Sequence, residues 1–368
     1  MKSVVLCEKP SQARNVQAAV GSRFGRVIGL RGHIIRLAAP EEVNPAWATW
    51  SFELLRPATG FYPFSEDPSG GKDKLLREIR GELKDAQRVI IATDCDREGQ
   101  AIGENLTRYL KFKGEVYRAM FNAEDEASLR EAFDNLRPNS EYLRLYQAAV
   151  ARAQVDQIAN LSATRAATKA LRPAGMRGAM GIGRVKTPTM AIVCKRQVEV
   201  DAFKARPYWD LWFLAEHNGE TARLTHKPGD DDRLFNEADA KAIAASLTGW
   251  SGPLAVVKAE KKQTPPKLSD LPSLQVHASR WGWTAKKTLD VSQALYETHK
   301  ITTYPRAENR YLPEIEIQNA PAMLEGITGL GRLDVGYRTP VIRKGKAGHF
   351  SDKALDPHFP SKALISLS

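Results

Sequence analysis

The chain has 368 residues, 42% hydrophobic and 26% charged, a composition that excludes disordered and fibrous classes and leaves room for two or three domains. Lys and Arg number 54 against 43 Asp and Glu, and the net charge of +11 favours a polyanionic partner, most simply nucleic acid. Cys7, Cys95 and Cys194 form no Cys-x-x-Cys pair, which argues against a disulfide framework or a zinc ribbon, and no apolar run approaches the ~20 residues of a membrane span. A cytoplasmic protein with reduced thiols and no membrane partner is expected.

In chain order, Ser3 to Leu6 reads as a buried strand, broken by Glu8-Lys9-Pro10-Ser11. Ala13, Val16 and Val20 then share a helical face that Gly21 ends. Residues 66–72, rich in turn formers, read as a loop. Arg88 to Ala92 is a second buried strand, followed by Thr93 to Gly99 and a helix carrying Ile102, Leu106 and Leu110. Strand, loop and helix, twice over, predict an α/β unit with a parallel sheet and its functional loops at the carboxyl ends of the strands.

Residues 140–171 lack proline and read as helix, Arg172-Pro173-Ala174-Gly175 interrupts them, and a further helix is expected after Pro188. Tyr208 to Leu214 suits a strand, and residues 258–267 a basic linker. Thr284 is placed to cap a helix with Thr288, Val291 and Leu295 on its buried side.

The chemistry-bearing residues gather at the two strand ends. Asp94, Asp96 and Glu98 alternate, so in an extended segment their carboxylates share a face and suit a hard cation such as Mg²⁺. A solvated acidic turn, partly neutralised by Arg97, is the alternative. Glu8 and Lys9 end the neighbouring strand and would open on the same edge. Gly70-Gly71-Lys72 is followed by Asp73 and is no P-loop, and Gly181-Ile182-Gly183 lacks the third glycine of a dinucleotide fingerprint, so ATP and NAD chemistry are not indicated. Near the other end, Tyr304 stands in Thr302-Thr303-Tyr304-Pro305-Arg306. Its phenol is either a packing residue or a nucleophile able to attack a phosphodiester beside the Arg306 guanidinium.

Taken together, Cys7 to Arg14, Gly32-His33, Asp94-Cys95-Asp96-Arg97-Glu98-Gly99, Gly181 to Thr189, Leu274-Gln275, Ile301 to Arg306 and Arg310 to Pro313 resemble, in order, the motifs of the type IA DNA topoisomerases, most closely the bacterial topoisomerase III branch. The resemblance implies a fold of α/β plus α type. It would comprise a Toprim parallel α/β domain (1–140), a helical single-strand-groove domain (141–203), a partial β arch with linker (204–268) and a mostly helical tyrosine domain (269–368).

It further implies an ATP-independent enzyme acting on single-stranded or underwound DNA, with Tyr304 as nucleophile. Glu8 would transfer protons, Lys9 and Arg306 would contact the scissile phosphate, and Asp94, Asp96, Glu98 and Glu8 would hold Mg²⁺. Arg152, Asp156, Gly183, Arg184, Lys186, Thr187 and Gln275 would meet DNA. For Arg152 and Asp156 the plain alternative is an i, i+4 ion pair, and for Trp281 and Trp283 packing is expected ahead of base stacking.

Three departures stand out. Ala307-Glu308-Asn309 follows Arg306 where the family usually has Ser or Thr and then Asp, Lys186 replaces a common Gln, and His358 is the nearest match to a family His. Because family members run on past the equivalent of Ser368, the toroid is expected to be incomplete. The alternatives are a truncated fragment that binds single-stranded DNA without cleaving it, and a Toprim-type nuclease or primase.

Overall fold

The structure, a computed structural model, describes residues 2–227, 233–255, 257–261, 263, 265–305, 309–329, 342–345 and 348–354, without the side chains of 315 and 327–329. Arg306, Ala307, Glu308 and His358 lie outside the described residues. Two compact units result: one holds the described residues up to Gly183 and from 265 onward, the other those from Arg184 to Gln263.

In the first unit the elements are β1 (Ser3–Cys7), α1 (Pro10–Val20), β2 (Arg26–Gly29), β3 (Ile35–Leu37), α2 (Pro40–Val43), β4 (Phe64–Glu66), α3 (Lys72–Lys84), β5 (Arg88–Ala92), α4 (Arg97–Tyr109), β6 (Glu115–Arg118), α5 (Glu126–Asp134), β7 (Arg137–Pro138) and α6 (Leu143–Leu171). A five-stranded sheet runs in the order β2-β1-β5-β6-β7, parallel except for the antiparallel edge strand β7. The register sets Val5 beside Val27 and Ile90, and Cys7 beside Gly29 and Ala92.

Strand alternation divides the core between the two faces. Val4, Leu6, Val89 and Ile91 pack with Leu76 and Ile79 of α3 and with Ile102 and Leu106 of α4. Val5, Cys7, Ile90 and Ala92 pack with Val16 of α1 and with Leu129 and Phe133 of α5. Each buried Val, Leu, Ile or Phe among these stabilises the fold by roughly 1.5–3 kcal/mol, so the sheet is the rigid platform from which the strand-end loops project. The parallel α/β arrangement expected from the two strand-loop-helix patterns is present. At the edge, a Cβ on Gly29 would come within 2.6 Å of Pro10 Cα, so only glycine lets β2 end against the start of α1.

α6 is one 29-residue helix. It docks on α4 through Ala101, Tyr146 and Ala149, and the Tyr146 hydroxyl donates to Asn105 Oδ1 at 3.0 Å. Lower down, Gln154 exchanges two 2.9 Å hydrogen bonds with the backbone of Tyr62.

The second unit contains α7 (Lys186–Asp201), β8 (Trp212–His217), β9 (Glu220–Thr225) and α8 (Glu237–Leu247). The strand expected at Tyr208 to Leu214 begins only at Trp212. Asn218 (φ 51°) and Gly219 (φ 81°) make the tight turn of a hairpin, and that turn, rather than the aromatic run, sets the register of β8 against β9. Trp209 makes only an isolated bridge to Leu234.

The first unit resumes with α9 (Leu271–Ser279), α10 (Ala285–Glu297) and α11 (Ala320–Gly329). Thr284 caps α10 as expected, its hydroxyl accepting from Lys287 N–H at 3.1 Å. Thr288 is buried as expected, but Ser292 and Tyr296 take the inward places expected of Val291 and Leu295, one residue further along the chain. The Thr288 and Ser292 hydroxyls donate to carbonyls one turn back, which meets their polarity inside the helix and lets Tyr296 carry the burial.

No described helix is long and apolar enough to cross a membrane. Cys7 and Cys95 are free and buried, and Cys194 is free and exposed.

Candidate active site

The carboxyl ends of β1 and β5 meet at one edge, and the loop after β5 turns there into α4. The extended alternation expected for residues 94–98 does not form. Asp96 is instead the N-cap of α4, its Oδ1 accepting from Gly99 N–H at 2.7 Å, and Glu98 falls in the first helical turn. A Cβ on Gly99 would lie 2.2 Å from the Asp94 carbonyl oxygen, so this sharp reversal requires glycine. Helical geometry swings Glu98 away from its neighbours, toward His33 Nε2 (3.4 Å) and Arg152 (3.3 Å). The His33 ring first, and Arg152 with it, hold the Glu98 carboxyl below its usual range.

Asp94 and Glu8 remain together. Asp94 N–H donates to Glu8 Oε2 at 3.3 Å, and Gln12 binds both residues, its Oε1 accepting from Glu8 N–H (2.9 Å) and its Nε2 donating to Asp94 Oδ1 (2.8 Å). The same Nε2 lies 3.1 Å from Glu124, a nearly buried carboxylate that also accepts from Asn15 at 2.6 Å. Burial first, then repulsion from Asp94 and Asp96, pushes Glu8 up to about 7. Burial likewise raises Asp94 and Glu124.

Beneath the loop the wholly buried Arg118, at the end of β6, donates to the carbonyls of Ile91, Thr93 and Ala119 (3.0, 3.0 and 3.2 Å) and of Asp94 (2.7 Å). It pins the backbone from which the carboxylates hang. Neither Arg118 nor Asn122 is signalled by a motif.

Tyr304 closes the site from the other end of the chain. Its hydroxyl donates to Asp96 Oδ2 at 3.0 Å, and its N–H donates to the Asn122 carbonyl at 2.7 Å. The ring packs edge-on against Tyr296, with centroids 5.5 Å apart, in a cluster with Cys95. Burial, and the nearby Asp94 and Asp96, push the Cys95 thiol up to about 12, so it stays protonated and donates to Asn122 Oδ1 at 2.9 Å. Lys9 Nζ meets Glu297 Oε1 at 2.5 Å. Burial opposes its charge, but Asp94 and the Glu297 hydrogen bond outweigh this and raise its pKa.

Tyr304, Glu8, Lys9, Asp94 and Asp96 thus gather at one place. Arg152 lies beside them through Glu98, and its Nε is 3.9 Å from Asp156, as in the plain ion-pair reading. Gly183 ends a segment held on α6, where Thr164 Oγ1 accepts from Ile182 N–H and Thr168 Oγ1 from Met180 N–H, both at 2.9 Å. Arg184, Lys186 and Thr187 belong to the other unit, the last two in the first turn of α7. Gln275 Nε2 donates to the Ala285 carbonyl at 3.1 Å, joining α9 to α10. Trp281 is 65% exposed, against the packing role expected for it, and its ring lies edge-on to His277.

Comparison with known proteins shows the family. The Toprim domain model matches residues 3–123, and the DNA topoisomerase family model matches residues 140–360, more than half of the chain. The chain belongs to the bacterial type IA DNA topoisomerases, on the topoisomerase III side of the family. It is 32% identical to DNA topoisomerase 3 of Bacillus subtilis strain 168 over 89% of its own length and 46% of that protein's. It is 30% identical to DNA topoisomerase 3 of Bacillus thuringiensis strain Al Hakam over 100% and 52%. The fold matches full-length topoisomerase I from Thermotoga maritima with a TM-score of 0.66 at 21% identity, over 99% of this chain and 55% of that one. The chain spans about half the length of the curated relatives it matches.

Proposed function

We propose that this topoisomerase chain cleaves and rejoins one strand of single-stranded or underwound DNA by transesterification at Tyr304, without ATP. The observation that carries the reading is the 3.0 Å hydrogen bond from the Tyr304 phenol to Asp96, beside Glu8 and Lys9. The phenol oxygen attacks the scissile phosphorus, the bond to the 3′ oxygen breaks, and a 5′-phosphotyrosine and a free 3′-hydroxyl result. Asp96 accepts the phenolic proton. Glu8, with a pKa of about 7, has a proton to give the leaving oxygen at neutral pH and takes it back for religation. Lys9 and Arg306 contact the phosphate as its charge develops. The phosphotyrosine conserves the energy of the phosphodiester bond, so no nucleotide is consumed.

Magnesium fits the donor set. Glu8, Asp94 and Asp96 are hard oxygen donors, crowded enough that Asp94 and Asp96 help raise the Glu8 pKa, although among the described residues no three acidic, His or Cys groups are close enough to enclose an ion. These three and Glu98 would hold it, Glu98 after leaving His33 and Arg152. Bound there, the cation would neutralise the carboxylates and the incoming phosphate. Arg152, Asp156, Gly183, Arg184, Lys186, Thr187 and Gln275 are proposed to contact the strand, with Trp281 as an exposed stacking surface.

The test is incubation of the chain with a single-stranded oligonucleotide and Mg²⁺, followed by denaturant. A covalent adduct that Tyr304→Phe abolishes is expected. Salt-dependent binding without any adduct from folded protein would select the non-cleaving alternative.

A further inference from the structure

Lys9 and Glu297 are 288 residues apart in sequence, one at the start of α1 and the other at the end of α10, the helix that leads to Tyr304. Lys9 Nζ meets Glu297 Oε1 at 2.5 Å, and Gln293, one turn back on α10, donates to the same oxygen. The pair is neither sealed nor loose, with the two side chains 22% and 27% exposed. The ammonium also lies 5.7 Å from the centroid of the Tyr296 ring, which packs on Tyr304. The carboxylate therefore occupies the anion seat of a lysine that faces the phenol and the acidic loop.

We propose that Glu297 is a positioning residue that stands in for the scissile phosphate, holding Lys9 and the tyrosine segment in place until a DNA phosphate displaces it. This rests on the reading of the site as a DNA-cleaving centre. The physical argument is competition for one ammonium. A partly exposed carboxylate–ammonium pair is weak in water. A phosphodiester of a polyanion brings a comparable charge and releases its condensed counterions on binding. Exchange is therefore inexpensive, yet an empty site keeps its lysine neutralised and aimed. Gln293 holds the displaced carboxylate on α10, so the exchange need not unfold the helix.

The test measures binding of a short single-stranded oligonucleotide, with EDTA present, to the full chain carrying Tyr304→Phe, across a salt series. Glu297→Gln is expected to bind about fivefold more tightly at low salt, with the log–log salt slope unchanged because the parent makes the same phosphate contact once its carboxylate is displaced. Glu297→Asp keeps the charge but shortens the reach. It is expected to bind about twofold or more tightly, whereas simple charge repulsion predicts no gain. In a Lys9→Met background both gains should vanish.

Equal gains with and without Lys9, or weaker binding by both folded variants, overturns the proposal. Detectable binding by the Tyr304→Phe chain with no difference among variants sinks the exchange alone. No binding by any of them sinks the DNA reading as well. Thermal melts identify a variant that has lost its fold, and the remaining one then decides.

Discussion

Asp96 serves two partners with its two oxygens: Oδ1 caps α4 through Gly99 N–H, and Oδ2 accepts the hydroxyl of Tyr304, 208 residues away in sequence. The start of α4 and the Tyr304 phenol are thereby tied to one carboxylate. Asp96→Asn keeps a good cap but removes the proton acceptor. Adduct formation is expected to fall by about a hundredfold or more, in the range of a lost general base, with a melting temperature within a few degrees of the parent. Timed denaturant quenches together with thermal melts check it. An undiminished rate would remove Asp96 from the chemistry.

Gly99 is where the acidic loop turns back on itself. Gly99→Ala forces a Cβ onto the Asp94 carbonyl oxygen, a contact only 2.2 Å long, and the backbone must shift. A loss of about 1–3 kcal/mol in urea unfolding is expected, with cleavage falling further than stability because Asp94 and Asp96 move with the turn.

Arg118 gives four hydrogen bonds to carbonyls around the end of β5. Arg118→Met leaves the Ile91 carbonyl its Ala119 N–H but takes the arginine donor from those of Thr93, Asp94 and Ala119, at about 1–3 kcal/mol for each one left unsatisfied, so a loss of several kcal/mol is expected. Arg118→Lys retains charge but not the fork, and should recover only part of the stability in the same denaturation series.

The Glu8 carboxyl has its pKa raised to about 7 in the folded state, mainly by burial and then by Asp94 and Asp96. The folded form therefore holds this proton more tightly than the unfolded chain, whose carboxyl titrates near 4.5. The contribution to stability is full below about pH 4.5 and is lost as pH rises through about 7, amounting to at most roughly 3 kcal/mol. In metal-free buffer the parent should lose stability relative to Glu8→Gln between pH 4.5 and 8. Magnesium added at pH 8 should raise the melting temperature of the parent more than that of the variant. A pH-independent difference between the two would contradict this assignment.

Local sequence determined the elements whose signals are local. The buried strands at Ser3 and Arg88, the Gly21 stop, the Thr284 cap and the proline-free helix ahead of residue 172 follow from apolar period, capping chemistry and the exclusion of proline, whereas the helix expected after Pro188 starts at Lys186 and takes that proline into its first turn. Motif order carried the family and the names of Tyr304, Glu8, Lys9 and the acidic residues. Tertiary structure decided what those residues touch. Capping by Asp96 turned Glu98 out of the expected row of carboxylates and onto His33 and Arg152. The burial of Tyr296 rotated the inner face of α10 by one residue. The hydrogen bonds of Arg118, Gln12 and Asn122, and the pairing of Lys9 with Glu297, join segments from 24 to 288 residues apart. No sequence period reports such contacts, because each depends on the packing of two layers around one sheet edge and not on the spacing of residues along the chain.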